Sequence, residues 1–211
     1  MKTRNSLLLL LVLFCFQHNA RSQSLKTKIK KSVVEIGETF TEIPKERVAV
    51  LDQLAATIFN RNKTKKLYKV VFIDQDNQEI SQLAMIWLRT GLLYFGLEGY
   101  QIHSAGIASV QKPMSGLASI NKYGFKVGNA GGGKPFSYYV KYGSDGWIVK
   151  SKTLESLDLE PDSTLEVFVT EGIAPDNGMP KIEIPLSDLE NIPKEMLYIA
   201  ARINNLNEIT R

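Results

Sequence analysis

Apolar residues follow three rhythms along the chain. The first is an unbroken run at 7–16, preceded by Lys2 and Arg4 and followed by a polar stretch ending in Ala20-Arg21-Ser22. A charged start, a short apolar core and small residues at the −3 and −1 positions make a secretory signal pattern, cleaved after Ser22. The run is too short to span a bilayer, which takes roughly 20 apolar residues. An uncleaved anchor is the competing reading. A lipoprotein signal fits poorly, because bulky Phe14 precedes Cys15.

The second rhythm is helical. Residues 23–43 are polar and basic, with Lys26, Lys28, Lys30 and Lys31, and predict a loose lead-in. From Pro44, a residue suited to a helix start, Val48, Leu51, Leu54, Ala55 and Ile58 recur at helical spacing. The basic cluster at 61–66 closes that helix, as a solvated turn or as a patch for anionic lipid or glycan. Further helices are predicted at 81–95 (Leu83, Ile86, Trp87, Leu93), at 113–122 and at 193–205.

The third rhythm is that of strands. Tyr68-Lys-Val-Val-Phe-Ile73 is a short apolar run rich in β-branched residues, as expected of a buried strand. Residues 99–104 and 164–170 read as further strands, with a loop at 171–181. Strand–helix–strand–helix order predicts an α/β fold with a parallel sheet flanked by helices. The middle breaks this pattern. Phe136-Ser-Tyr-Tyr-Val-Lys-Tyr142, the turn Gly143-Ser-Asp-Gly146 and Trp147-Ile-Val149 predict a β-hairpin inserted within 125–152. The expected organisation is a signal at 1–22, a lead-in and helix at 23–66, and an α/β domain at 67–211.

Composition sharpens the exclusions. The 211 residues are 44% hydrophobic and 23% charged, with a net charge of +4. Signal cleavage removes Lys2, Arg4 and Arg21 and no acid, leaving about +1, so charge gives no case for nucleic acid. The only Cys and one of the two His leave with it. The remaining chain has no disulfide, no thiolate chemistry and no Cys/His zinc set.

The loop after the first strand, Asp74-Gln-Asp-Asn-Gln-Glu-Ile-Ser81, leaves a parallel strand and opens a helix, where α/β proteins bind ligands. Around it several pieces stand in a familiar order: Phe40-Thr-Glu-Ile-Pro-Lys-Glu-Arg47, Leu51-Asp-Gln-Leu54, the stretch 81–87 with its Ile-Trp pair, Ser104-Ala105-Gly106, the stretch 113–124, and Ile184-Pro-Leu186. In that order they resemble the low-molecular-weight protein tyrosine phosphatase and arsenate reductase family, in its longer bacterial branch, over roughly 33–206. The resemblance implies a loop of Cys, five residues and Arg, with the thiolate attacking phosphorus and the Arg clamping its oxygens. Here Asp74 stands at the Cys position and Ile80 at the Arg position, while Asn77 and Ser81 match the loop-shaping residues. Asp188 falls where the family's general acid is expected, with no nucleophile to assist.

Charge points the same way. Asp76 and Glu79 add negative charge where a phosphate would sit, and like charges 4 Å apart repel by about 4 kcal/mol at an effective dielectric of 20. No cofactor is expected. Should the loop take an ion through Asp74, Asp76 and Glu79, hard oxygen ligands suit weak Mg²⁺ or Ca²⁺. The simplest alternative is that these acids only cap the helix.

Other motifs fail on their details. Asp74-Gln-Asp76 imitates the first motif of haloacid-dehalogenase-type phosphatases, but the second acidic pair is missing, Asp176-Asn177 being the nearest. A calcium loop needs Gly where Glu79 stands and Glu where Met85 stands. The Gly-rich stretch 128–134 lacks the Ser/Thr of a P-loop, its place taken by Pro135. His103 and Ser104 are strand neighbours and point to opposite faces. Asn62-Lys-Thr64 is a glycosylation sequon. The expected function is therefore that of an exported, periplasmic or extracellular phosphatase-like protein without thiol chemistry, binding a ligand or protein partner through residues 74–81 (Asp74, Gln75, Asp76, Asn77, Gln78, Glu79, Ile80, Ser81). The alternatives are a metal-dependent hydrolase using Asp74, and an interaction protein using Tyr138, Tyr139, Tyr142 and Trp147.

Overall fold

The computed structural model describes residues 24–64, 68–132, 136–186 and 188–210. The signal segment, the end of the basic cluster at 65–66, the end of the Gly-rich stretch and Ser187 lie outside the described residues. In chain order the elements are α1 (Thr27–Gly37), α2 (Lys45–Thr64), β1 (Tyr68–Asp74), α3 (Ile80–Tyr94), β2 (Tyr100–Gly106), a 3₁₀ segment (Ser115–Tyr123), β3 (Lys126–Asn129), β4 (Ser137–Lys141), β5 (Gly146–Lys150), β6 (Thr164–Phe168), β7 (Lys181–Glu183) and α4 (Ile192–Ile209).

The expected α/β architecture is present. One sheet runs β2-β1-β6-β7 with every pairing parallel, and a smaller antiparallel sheet runs β3-β4-β5. β1 is central and buried at every position but Lys69, which explains why the rest of 68–73 is apolar. Tyr68, Val70, Phe72, Ile102, Leu165 and Val167 face the helices and join the main core. Val71, Ile73, Ala105 and Phe168 face the other way, under Leu154, Leu157, Leu159, Ile173 and Ala174.

α3 lies between the sheet and α4. The two helices approach closely at Gly91, where a Cβ would stand 2.4 Å from the Ala200 Cβ. α4 is tied to α2 by Arg47, whose Nε and Nη2 donate to the Glu195 carboxylate at 2.8 and 2.6 Å, and by Asp52, which accepts from Arg202 and Tyr198 at 2.7 and 3.0 Å. Trp87 on α3 meets Tyr123 and Phe125 edge to face, fixing the 3₁₀ segment to the core.

Three expectations need correction. Residues 27–37 form α1 rather than a loose lead-in. Leu25, Ile29 and Val33 recur every four residues and are buried, while Lys28, Lys30 and Lys31 are exposed, so the basic composition masks an apolar stripe. The segment after Pro113 is 3₁₀ rather than α-helical and ends at Gly124, whose φ of 104° a side chain would resist. β7 adds a fourth parallel strand after the loop; three residues, exposed at both ends, are too short to leave a pattern.

If α1 is part of the core, truncating it has a core cost. Ile29→Ala should lower stability by about 2–5 kcal/mol in urea unfolding. A change within about 0.5 kcal/mol, as for a surface site, would mean that α1 does not pack as described.

Candidate functional site

Asp74 ends β1 with only 4% of its surface exposed. Its Oδ1 accepts the Asn77 N–H at 2.5 Å and its Oδ2 accepts the Ser81 N–H at 3.0 Å. Ser81 is the second residue of α3, whose N-cap, Glu79, makes no side-chain cap. Asp74 therefore caps the helix from the preceding strand, satisfying a backbone donor that the helix leaves open. Burial pushes the Asp74 carboxyl above its usual range; the bonds from Ser81 and Asn77 pull it down, and Asp76 pushes it up.

Asn77 is the hub of the loop. Its φ of 54° lies in the left-handed region, which Asn adopts more readily than most residues. Its Nδ2 donates to Ser81 Oγ at 2.9 Å, and its Oδ1 accepts from Gln82 Nε2 at 3.0 Å and from the Lys152 N–H at 2.8 Å. Gln82 also donates to the Lys150 carbonyl at 3.0 Å and accepts from Ser104 Oγ at 2.9 Å. Asn77, Ser81, Gln82 and Ser104 are fully buried. Together they sew β1, α3, β2 and the chain after β5 to one another. Gly106 completes the fit: a Cβ there would lie 2.7 Å from the Asn77 nitrogen.

The three acids do not converge. Asp74 points into its own loop. Asp76 Oδ2 accepts from Lys112 Nζ at 2.9 Å. Glu79 Oε1 accepts the Gly116 N–H at 2.8 Å, at the start of the 3₁₀ segment. The loop contains no cation of its own, but the fold brings Lys112 to it, so its charge is smaller than the sequence suggests. Among the described residues no three His, Cys, Asp or Glu side chains gather as a metal set.

An open cleft of about 780 Å³ lies over the loop. Asp74, Gln75, Asp76, Gln78, Glu79 and Ile80 of the loop line it, together with Lys112, Pro113, Thr170 and Leu189. Gln78 is held by its Nε2, which donates to the Val110 carbonyl at 2.6 Å. Ile80 packs against the core and lines the cleft. Asp188 is exposed and caps the turn before α4, accepting from the Glu190 N–H and Asn191 Nδ2, each at 2.8 Å; its neighbour Leu189, not Asp188, reaches the cleft.

His103 and Ser104 do part to opposite faces. Ser104 turns to Gln82, while His103 Nε2 is buried with no hydrogen-bond partner. Sequence reasoning missed Gln82 and Lys112. A polar Gln among the apolar residues that open a buried helix is a signal for the first; nothing marks the second.

No known family model matches the chain, and no curated protein matches it. Among solved structures, the thioredoxin-dependent arsenate reductase of Corynebacterium glutamicum is similar over 87% of this chain and 96% of that one, at 16% identity and a TM-score of 0.37.

The cap makes Asp74→Asn a sharp test. An amide places one NH₂ against a backbone N–H, so the variant should lose about 1–3 kcal/mol at neutral pH, whereas Lys112→Ala should lose no more than about 1 kcal/mol. Asp74 titrates higher folded than unfolded. Its contribution is present below the ordinary value of 3.8 and is lost as pH rises through the raised value. The gap between wild type and Asp74→Asn should therefore widen toward acid pH in denaturant titrations. Equal losses from both variants would contradict the cap, and a gap that narrows in acid would contradict the raised titration of Asp74.

Proposed function

We propose that this chain is an exported binding protein on a phosphatase-like α/β frame, with the loop at 74–81 serving recognition rather than phosphoryl transfer. One observation carries the reading: both carboxylate oxygens of Asp74 are engaged by backbone N–H groups. A nucleophile needs a free, aimed atom, and a metal ligand needs a lone pair turned toward its ion. Each Asp74 oxygen is already held by one N–H of its own loop, which disfavours both roles, and Ile80 offers no charge to an oxyanion. What the loop does supply is a rigid floor for a cleft. The cleft is mixed in character, with an Asp76–Lys112 ion pair and the apolar Ile80, Pro113 and Leu189 in its lining, as suits an organic ligand or a protein segment more than a bare ion. Among the described residues no helix is long and apolar enough to cross a membrane.

The test is chemical. The purified chain should not turn over an aryl phosphate in metal-free buffer, and Mg²⁺ should not start it. Turnover under either condition that disappears in Asp74→Ala would establish an enzyme and end the proposal. Export is tested by intact mass. The protein recovered outside the cytoplasm should begin near Gln23, and a chain with Met1 retained in the cytosol would contradict it.

A further inference from the structure

Gln78 is the odd member of the cleft over residues 74–81. It is only 5% exposed, yet it belongs to the cleft lining. Its Nε2 donates to the Val110 carbonyl, an atom that can only accept, so the orientation of the amide is fixed. The Oε1 is thereby left buried with no donor. A buried acceptor without a partner is costly and rare, and this one belongs to a residue in a cavity wall. Charge is the second observation. Asp74, Asp76 and Glu79 line the same cleft, and the one cation in that lining, Lys112, is paired with Asp76. An unmet acceptor beside an excess of acids suits a donor that carries positive charge.

A smaller cavity adjoins this cleft. It measures about 230 Å³ and is walled by Leu83 and Trp87 of α3, Ile120 and Tyr123 of the 3₁₀ segment, and Pro193 of α4. Leu189 borders both cavities. Glu79, in the cleft, accepts the N–H of Gly116, which lines the smaller cavity, so the two share a wall. The charged members of the smaller cavity, Lys122 and Glu190, are exposed and of opposite sign, so they add no net charge. A cavity of roughly 150 Å³ takes a benzene ring. This one has room for a single ring or a short alkyl chain.

We infer that the ligand of the cleft is a small amphipathic amine, with its ammonium among Asp76, Glu79 and the Gln78 Oε1 and its apolar tail beyond Leu189, in the cavity beside Trp87. The inference rests on the recognition role proposed above and gives that role a ligand class. An ammonium brings three donors and no acceptor. A phosphate or carboxylate would bring further acceptors to Gln78 and further negative charge to the acids. The tail cavity ends after about one ring, which suits a small molecule.

The test compares three head groups on one tail: 4-phenylbutylamine, 4-phenylbutanol and 4-phenylbutyrate. Each is titrated into the chain at neutral pH by calorimetry. Fluorescence is followed in a Trp147→Phe background, where Trp87 is the one remaining tryptophan. The amine should bind saturably and change the Trp87 emission. The alcohol should bind about tenfold more weakly and the carboxylate more weakly still. Gln78→Met should weaken the amine about tenfold and affect the alcohol less. Two variants at less buried positions guard against a misfolded loop. Asp76→Asn, which leaves Lys112 uncompensated, should weaken the amine at least about fivefold, and Lys112→Gln should tighten it. No saturation by the amine, an unmoved Trp87 signal, or amine affinity unchanged in Asp76→Asn and Lys112→Gln would overturn the inference. Alcohol or carboxylate bound as tightly as the amine would overturn it too, yet leave the recognition role standing. That role falls on a different result, aryl phosphate turnover lost in Asp74→Ala.

Discussion

A carboxylate buried where a strand turns into a helix must be satisfied by the chain that buries it. Asp74 meets this constraint by taking the backbone N–H groups of Asn77 and Ser81, and the rest of the loop follows. Its two bonds fix where the turn begins and where α3 starts. Asn77 is then held in a left-handed conformation, in which its side chain reaches Ser81, Gln82 and the Lys152 backbone at once. Buried polar networks are favourable only when their members are satisfied, and this one closes on Ser104 at the neighbouring strand. The loop is thus a rigid structural joint.

Charge is distributed unevenly around that joint. Acids line the cleft, relieved in part by Lys112, while toward β2 Arg89 holds the Ile102 carbonyl and burial lowers the titration of His103 and Lys152. The short segment 150–153 links the two regions. Its Lys150 carbonyl and Lys152 N–H serve the Asn77 network, and its Lys152 carbonyl accepts the Gly106 N–H at the β2 edge. A change that shifts this segment should be felt on both sides.

Much of the fold is legible in the sequence because β1 and α2 carry strong periods. The short, β-branched apolar stretch 70–73 reads as a strand buried on both faces, and the spacing of Leu51, Leu54 and Ile58 as one side of a helix. α1 is obscured because three of its lysines stand beside Ile29, and the eye reads composition before spacing. β7 is too short to have a period. The candidate loop is found by its place after β1, yet its chemistry is not. The charge of Asp76 and Glu79 depends on Lys112 and Gly116, which only the folded chain brings near. The role of Asp74 depends on which atoms meet its oxygens, and no spacing encodes that.

The central claim is that Asp74 is a buried cap whose two oxygens belong to the backbone. It is tested most directly by following the Asp74 side-chain carboxyl by carbon NMR through an acid titration, together with the amide signals of Asn77 and Ser81. The account predicts an inflection above the ordinary aspartate range, with both amides shifting in step as the carboxylate gains its proton. An ordinary titration that leaves those two amides unmoved would show that the carboxylate is free in the cleft, and the account would be wrong.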